Sequence, residues 1–100
     1  MNTYISGSLV QSTAAFVNAA GAAADPTTVT FKYRIGAAAI VTAVYPAAPI
    51  VKDSIGNYHA NFDTSGWAGP DNLLYATEWF GTGAVLAIND DYWQVTPPAL

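Results

Sequence analysis

Val29-Thr30-Phe31-Lys32-Tyr33-Arg34-Ile35 alternates apolar and polar residues without a break. A period of two marks a half-buried β-strand, with Val29, Phe31, Tyr33 and Ile35 facing inward and Thr30, Lys32 and Arg34 facing out. Similar stretches lie on both sides of it. Upstream, Leu9 to Val17 reads as a strand whose more apolar face is Val10, Ser12, Ala14 and Phe16. Residues 18–28 between the two form a loop, because Gly21 and Pro26 bracket an alanine-rich segment too short to hold a helix. Downstream, Gly36 and Ala37 reverse the chain, and Ala38 to Tyr45 returns antiparallel with the β-branched content that a pleated surface prefers. Pro46 and Pro49 end that strand, since proline cannot donate to a ladder.

The pattern continues to the C-terminal end. Ile50 to Lys52 reads as a short strand, Asp53 to Gly56 as a turn, and Asn57 to Asp63 as a strand with Tyr58, Ala60 and Phe62 inward. Residues 64–72 form a loop that carries Trp67. Leu73 to Phe80 is a strand with apolar residues on both faces, so its core face stays open. Gly81 to Gly83 is expected to turn tightly, with Ala84 to Ile88 as a short strand, Asn89 to Asp91 as a polar break and Tyr92 to Thr96 as the last strand. About seven short antiparallel strands, spaced by roughly 8–12 residues and punctuated by Gly and Pro, predict an all-β sandwich. It is one domain over residues 1–100, with its core in about 9–96.

Composition narrows the function. Charged residues make up 10% of the chain, against about 25% in an ordinary soluble domain. So little charge does not keep copies apart, and self-association or life within a larger assembly is expected. The net charge is −4 and the only basic residues are Lys32, Arg34 and Lys52, which cannot follow a phosphate backbone or hold an anionic membrane surface. Without cysteine there is no disulfide, thiolate nucleophile or zinc–cysteine site. Met1 to Val10 lacks the features of a signal peptide, and no run has the length of a membrane-spanning helix.

Chemistry-bearing residues are sparse. His59 is the only histidine and Glu78 the only glutamate. Strand parity turns His59 outward beside Asn57 and Asn61, which suits a surface or interface residue better than a catalytic base. Asp90 and Asp91, with Asp63 or Asp71, offer oxygen ligands for a hard cation, but their spacing matches no calcium loop and an Asx-rich turn accounts for them. Gly81-Thr82-Gly83 lacks the lysine and helix of a phosphate loop. The chain is therefore read as non-enzymatic, with no cofactor and no metal. The aromatic residues Trp67, Tyr92 and Trp93 are the candidates for contact with a protein partner or with a pyranose face, beside core packing.

Three segments carry a family resemblance: Gly21 to Val29 with Ala-Asp-Pro-Thr-Thr-Val, Asp53 to Phe62 with Gly-Asn-Tyr-His, and Thr77 to Val85 with Trp-Phe-Gly-Thr-Gly. In order and spacing they resemble a family of small phage-encoded virion proteins encoded among head and tail-connector genes. The resemblance implies an immunoglobulin-like sandwich and a structural role in the virion, as a capsid decoration or a head–neck or tail accessory protein. The partners it implies are other virion proteins, in a homo-oligomer or a multi-copy assembly, after synthesis in the host cytoplasm. It carries over no catalytic residue. Pro26, Tyr58, Trp79, Gly81 and Gly83, with Asp25 and His59, fall on its motifs as fold-shaping positions. The alternative is a carbohydrate-binding sandwich that uses Trp67, Tyr92 and Trp93. In either case the edges at Ala38 to Tyr45 and at the strand from Leu9 are expected to be open to a partner strand, because no charge guards them.

Overall fold

Eight strands of the described residues form two layers: β1 (Asn2–Ile5), β2 (Leu9–Ala15), β3 (Thr28–Ile35), β4 (Val41–Val44), β5 (Val51–Ser54), β6 (Asn57–Asp63), β7 (Leu73–Thr82) and β8 (Ala87–Thr96). The computed structural model describes residues 2–67, 69–83 and 87–97, with only the backbone of 87–89. One sheet has the order β1-β8-β7-β3-β4 and the other β2-β6-β5. This is an all-β sandwich of five strands against three. All neighbours are antiparallel except β1, which runs parallel to β8 with Asn2 opposite Trp93 and Ile5 opposite Thr96.

Side-chain parity places the core. In β2 the buried residues are Val10, Ser12 and Ala14, continued by Phe16. In β6 they are Tyr58, Ala60 and Phe62, and Val29 and Phe31 are buried in β3, as alternation requires. The open question of β7 is settled by its register against β3, which sets Trp79 beside Phe31 and leaves Tyr75, Thr77 and Trp79 as the buried set.

Four expectations need correction. The strand count is eight rather than about seven, and the sandwich is not wholly antiparallel, because Asn2 to Ile5 is too short for a periodic signal and draws its hydrogen bonds from β8. Asn89-Asp90-Asp91 is no break. It runs in unbroken register with Thr77-Glu78-Trp79. β1 reaches only from Trp93 onward, so this half of β8 has an open edge where carboxylates stay in water. Residues 84–86 of the expected short strand lie outside the described residues. Gly81 does not turn but lies inside β7, opposite Val29, and Gly83 just beyond the strand has φ +96°. The strand before Pro46 is shorter than expected, as residues 36–40 all belong to the reversal.

Aromatic rings join the sheets. Trp79 lies against Phe31 with ring centroids 4.3 Å apart, and its indole Nε1–H donates to Ser12 Oγ of the opposite sheet at 2.9 Å. Toward one end, Phe62 of β6 wedges among Phe31, Tyr33, Tyr75 and Trp93, and Tyr75 stacks on Trp93 at 3.8 Å. Toward the other end, Tyr58 meets Phe16 and Tyr45 edge-on.

Ser12→Ala leaves the buried indole N–H without a partner and is expected to cost about 1–3 kcal/mol. Trp79→Ala, which also opens a cavity, is expected to cost about 3–5 kcal/mol. Urea unfolding followed by far-UV circular dichroism reads both. Equal stability of Ser12→Ala and wild type contradicts the role given to this bond.

Candidate functional site

The outer face of the five-stranded sheet brings together charges of both signs and exposed apolar residues. Register aligns Lys32 of β3 with Glu78 of β7 and Asp90 of β8, and in the next row Arg34 with Ala76 and Tyr92. Four of the ten charged residues of the chain thus share one face. Tyr92 is 55% exposed and Ile40 60%, with Leu74 also exposed on the same sheet. Tyr92 and Ile40, with Lys32, Arg34, Glu78 and Asp90, border a shallow cleft of about 150 Å³. Ligand pockets are typically about 300–1,000 Å³, so this cleft suits one inserted side chain better than a small molecule.

The charges on this face are not used internally. Among the described residues the one lysine or arginine ion pair is Lys52–Asp25, and His59 lies against Asp53; neither contact is on this face. Glu78 and Asp90 stand directly opposite each other, an arrangement that costs stability within a sheet. Exposed tyrosine, arginine and unspent charge on one flat surface have the chemistry of a protein contact patch.

A second cluster knots one end of the sandwich. Asp25 accepts three hydrogen bonds, from Lys52 Nζ at 2.7 Å, Gly56 N–H at 2.8 Å and Tyr58 Oη–H at 3.1 Å. Lys52 first, then the Gly56 amide and Tyr58, hold the carboxyl below the ordinary aspartate value of 3.8, and Asp25 in turn raises Lys52. Burial, followed by the bond to Asp25, raises the Tyr58 hydroxyl. Both carboxylate oxygens are taken, so the cluster acts as a structural tie, and it forms one wall of an open pocket of about 310 Å³ bordered also by Val44 and Tyr45. Pro26 and the ring of Phe16 fill the space over Gly81, where a Cβ would lie 2.9 and 2.7 Å from them. Thr27 crowds Gly83 and donates its N–H to Thr82 C=O at 2.7 Å. Asp25, Pro26, Tyr58, Gly81 and Gly83 thus meet at one place, while Trp79 lies deeper along the core.

The remaining candidates are dispersed. Trp93 is buried at 3% exposure with its ring on Tyr75, and offers no face to a sugar. Tyr92, its neighbour in β8, projects from the opposite face of the sheet. Trp67 folds over Gly69, donates its indole N–H to Asp71 C=O at 3.0 Å and packs at the margin of the core. The three therefore form no common stacking platform. Asp90 and Asp91, successive in one strand, point to opposite faces and cannot share an ion. Among the described residues no three acidic, histidine or cysteine side chains cluster as metal ligands.

His59 sits on the outer face of the three-stranded sheet with Nδ1 within 2.8 Å of both Asp53 oxygens. A bulge between Lys52 and Ser54 places that carboxylate, and a bulge leaves no periodic trace in sequence. The outward parity of Lys32 and Arg34 was legible, whereas Glu78, Asp90 and Ile40 joined them only through strand order.

Asp25 stabilises the fold fully above pH 3.8, and this contribution is lost as pH falls through its lower folded value. Asp63, lowered by the Ser65 N–H, acts in the same window. Asp25→Asn should therefore flatten, without abolishing, the acid limb of a urea-midpoint profile, and an unchanged limb refutes the tie. At Gly56, φ is +76° and a Cβ would lie 2.5 Å from Phe16 C=O. Gly56→Ala is expected to cost about 2–4 kcal/mol in the same assay.

No family model, no curated protein and no solved structure matches the chain.

Proposed function

We propose that this chain is an immunoglobulin-like sandwich that acts without catalysis, as a structural component of a phage virion. Strand order supports the fold type. The order β2-β6-β5 corresponds to B-E-D of an immunoglobulin domain, and β8-β7-β3-β4 to G-F-C-C′. Antibody domains link strands B and F by a disulfide with a tryptophan of strand C against it. Here Ser12 on β2 and Trp79 on β7 are joined by a hydrogen bond, with Phe31 of β3 against it.

The observation that carries the functional reading is the outer face of the five-stranded sheet, where Lys32, Arg34, Glu78 and Asp90 stand around Tyr92 and Ile40 without an ion pair among the described residues. Such a face suits a protein partner, and the placement in a virion follows from the resemblance of the three motif segments. Capsid decoration and head–neck or tail attachment use the same surface.

Coexpression with phage capsid, neck and tail proteins, followed by gradient sedimentation, tests this. The protein should sediment with particles at a fixed stoichiometry. Arg34→Glu and Tyr92→Ala should each release it at least tenfold while leaving the urea midpoint close to wild type. Wild-type protein that stays at the top of the gradient overturns the virion role, and release by neither variant overturns the assignment of the face.

A further inference from the structure

β2 is the longest edge strand of the described residues. Of the four sheet edges, β1, β4 and β5 have four residues each, and β2 has seven. The phase of its ladder is set at both ends, where Thr64 N–H donates to Ser8 C=O and Phe16 N–H to Gly56 C=O. In an antiparallel ladder the bonded pairs alternate, so Val10, Ser12 and Ala14 turn their backbone groups to β6. Leu9, Gln11, Thr13 and Ala15 turn theirs away, and no other backbone hydrogen bond of the described residues uses them. This leaves a row of open donors and acceptors along the whole strand.

Sandwich proteins guard such an edge with charge, proline, a bulge or short length. Leu9-Val10-Gln11-Ser12-Thr13-Ala14-Ala15 has none of the four: it is uncharged, proline-free and in unbroken register with β6. The edge at β4 is not comparable, being shorter and with the C=O of Val44 already accepting from Ala47 N–H.

We infer that β2 pairs antiparallel with β2 of a second copy, about a two-fold axis at Ser12. In that register Leu9 stands opposite Ala15 of the other copy, Val10 opposite Ala14 and Gln11 opposite Thr13. Apolar residues meet apolar ones and polar meet polar at every position, and each outward-turned residue forms the two hydrogen bonds of a bonded pair. Leu9, now 70% exposed, gains a cross-strand cover. The acid next in line, Asp63 opposite Leu9 on β6, falls in the same row as Asn57 of the other copy, so no like charges are brought together. The two three-stranded sheets become one six-stranded sheet, and both five-stranded outer faces stay free. A second copy is favoured over a foreign strand because the segment complements itself in sequence and carries no charge by which to select another. The inference does not rest on the virion reading.

Sedimentation velocity of the full chain across micromolar concentrations tests it, together with hydrogen exchange of single amides. The expected species has twice the 10.5 kDa chain mass. Its amides at Leu9, Gln11, Thr13 and Ala15 should gain at least tenfold protection with rising concentration, while those of Thr42 and Val44 on β4 should not. The double substitution Gln11→Lys with Thr13→Lys sets like charges opposite each other across the axis and should give a folded monomer. A wild-type monomer at all concentrations overturns the inference, as does a dimer whose β2 amides remain unprotected. If the lysine variant fails to fold, the wild-type exchange pattern alone decides. A monomer whose β2 amides become protected only on virion particles also overturns it, and points to a foreign strand.

Discussion

Trp79 is the element on which the two layers depend. A sandwich is stable only when two inner faces exclude water from each other, and a chain without cysteine must achieve this by packing alone. The indole fills the centre against Phe31, and its one polar atom is aimed at the single hydroxyl on the buried face of β2. A buried N–H without that acceptor would oppose the burial of the ring, so Ser12 and Trp79 make sense only together. The register of β7 on β3 sets this contact, and it decides which residues of β7 and β8 face outward.

That register also sorts the surface. The five-stranded sheet carries Lys32, Arg34, Glu78 and Asp90 together on its outer face, whereas the longest free edge, β2, has no charge at all. Charges of both signs on that face supply orientation there, and an edge strand without charge is free to associate without repulsion. The Asp25 cluster serves neither surface. It ties the loop before β3 to the β5–β6 turn, and it holds the motif residues Pro26, Tyr58, Gly81 and Gly83 around it.

Much of the architecture was legible wherever one face of a strand is buried and the other wet. In β2, β3 and β6 the alternation identified Val10, Ser12, Ala14, Phe31, Tyr58 and Phe62 as inward residues, and each is buried. Alternation is silent where both faces are partly covered, as for Leu74, Ala76 and Phe80 opposite Tyr75 and Trp79 on β7. It misleads where a polar triplet such as Asn89-Asp90-Asp91 occupies a strand beyond the reach of its neighbour. β1 is too short to show a period. Contacts between residues distant in sequence were the least legible: Asp25 with Gly56, and Ser12 with Trp79, meet only after strand order is known. For the same reason the charged outer face was half visible, in the parity of Lys32 and Arg34, and half hidden in the pairing of β7 with β8.

The most direct test of this account is the exchange rate of the Trp79 indole proton, read in a spectrum that also resolves Trp67. If the sheets close over Trp79 as described, its Nε1–H exchanges only through global unfolding, with the same apparent free energy as the slowest backbone amides of β3 and β7. The proton of Trp67, bonded to Asp71 in a surface loop, then exchanges orders of magnitude faster. Comparable rates for the two indoles would mean that the interior opens locally at Trp79, and that the sheets are held together by something other than this contact.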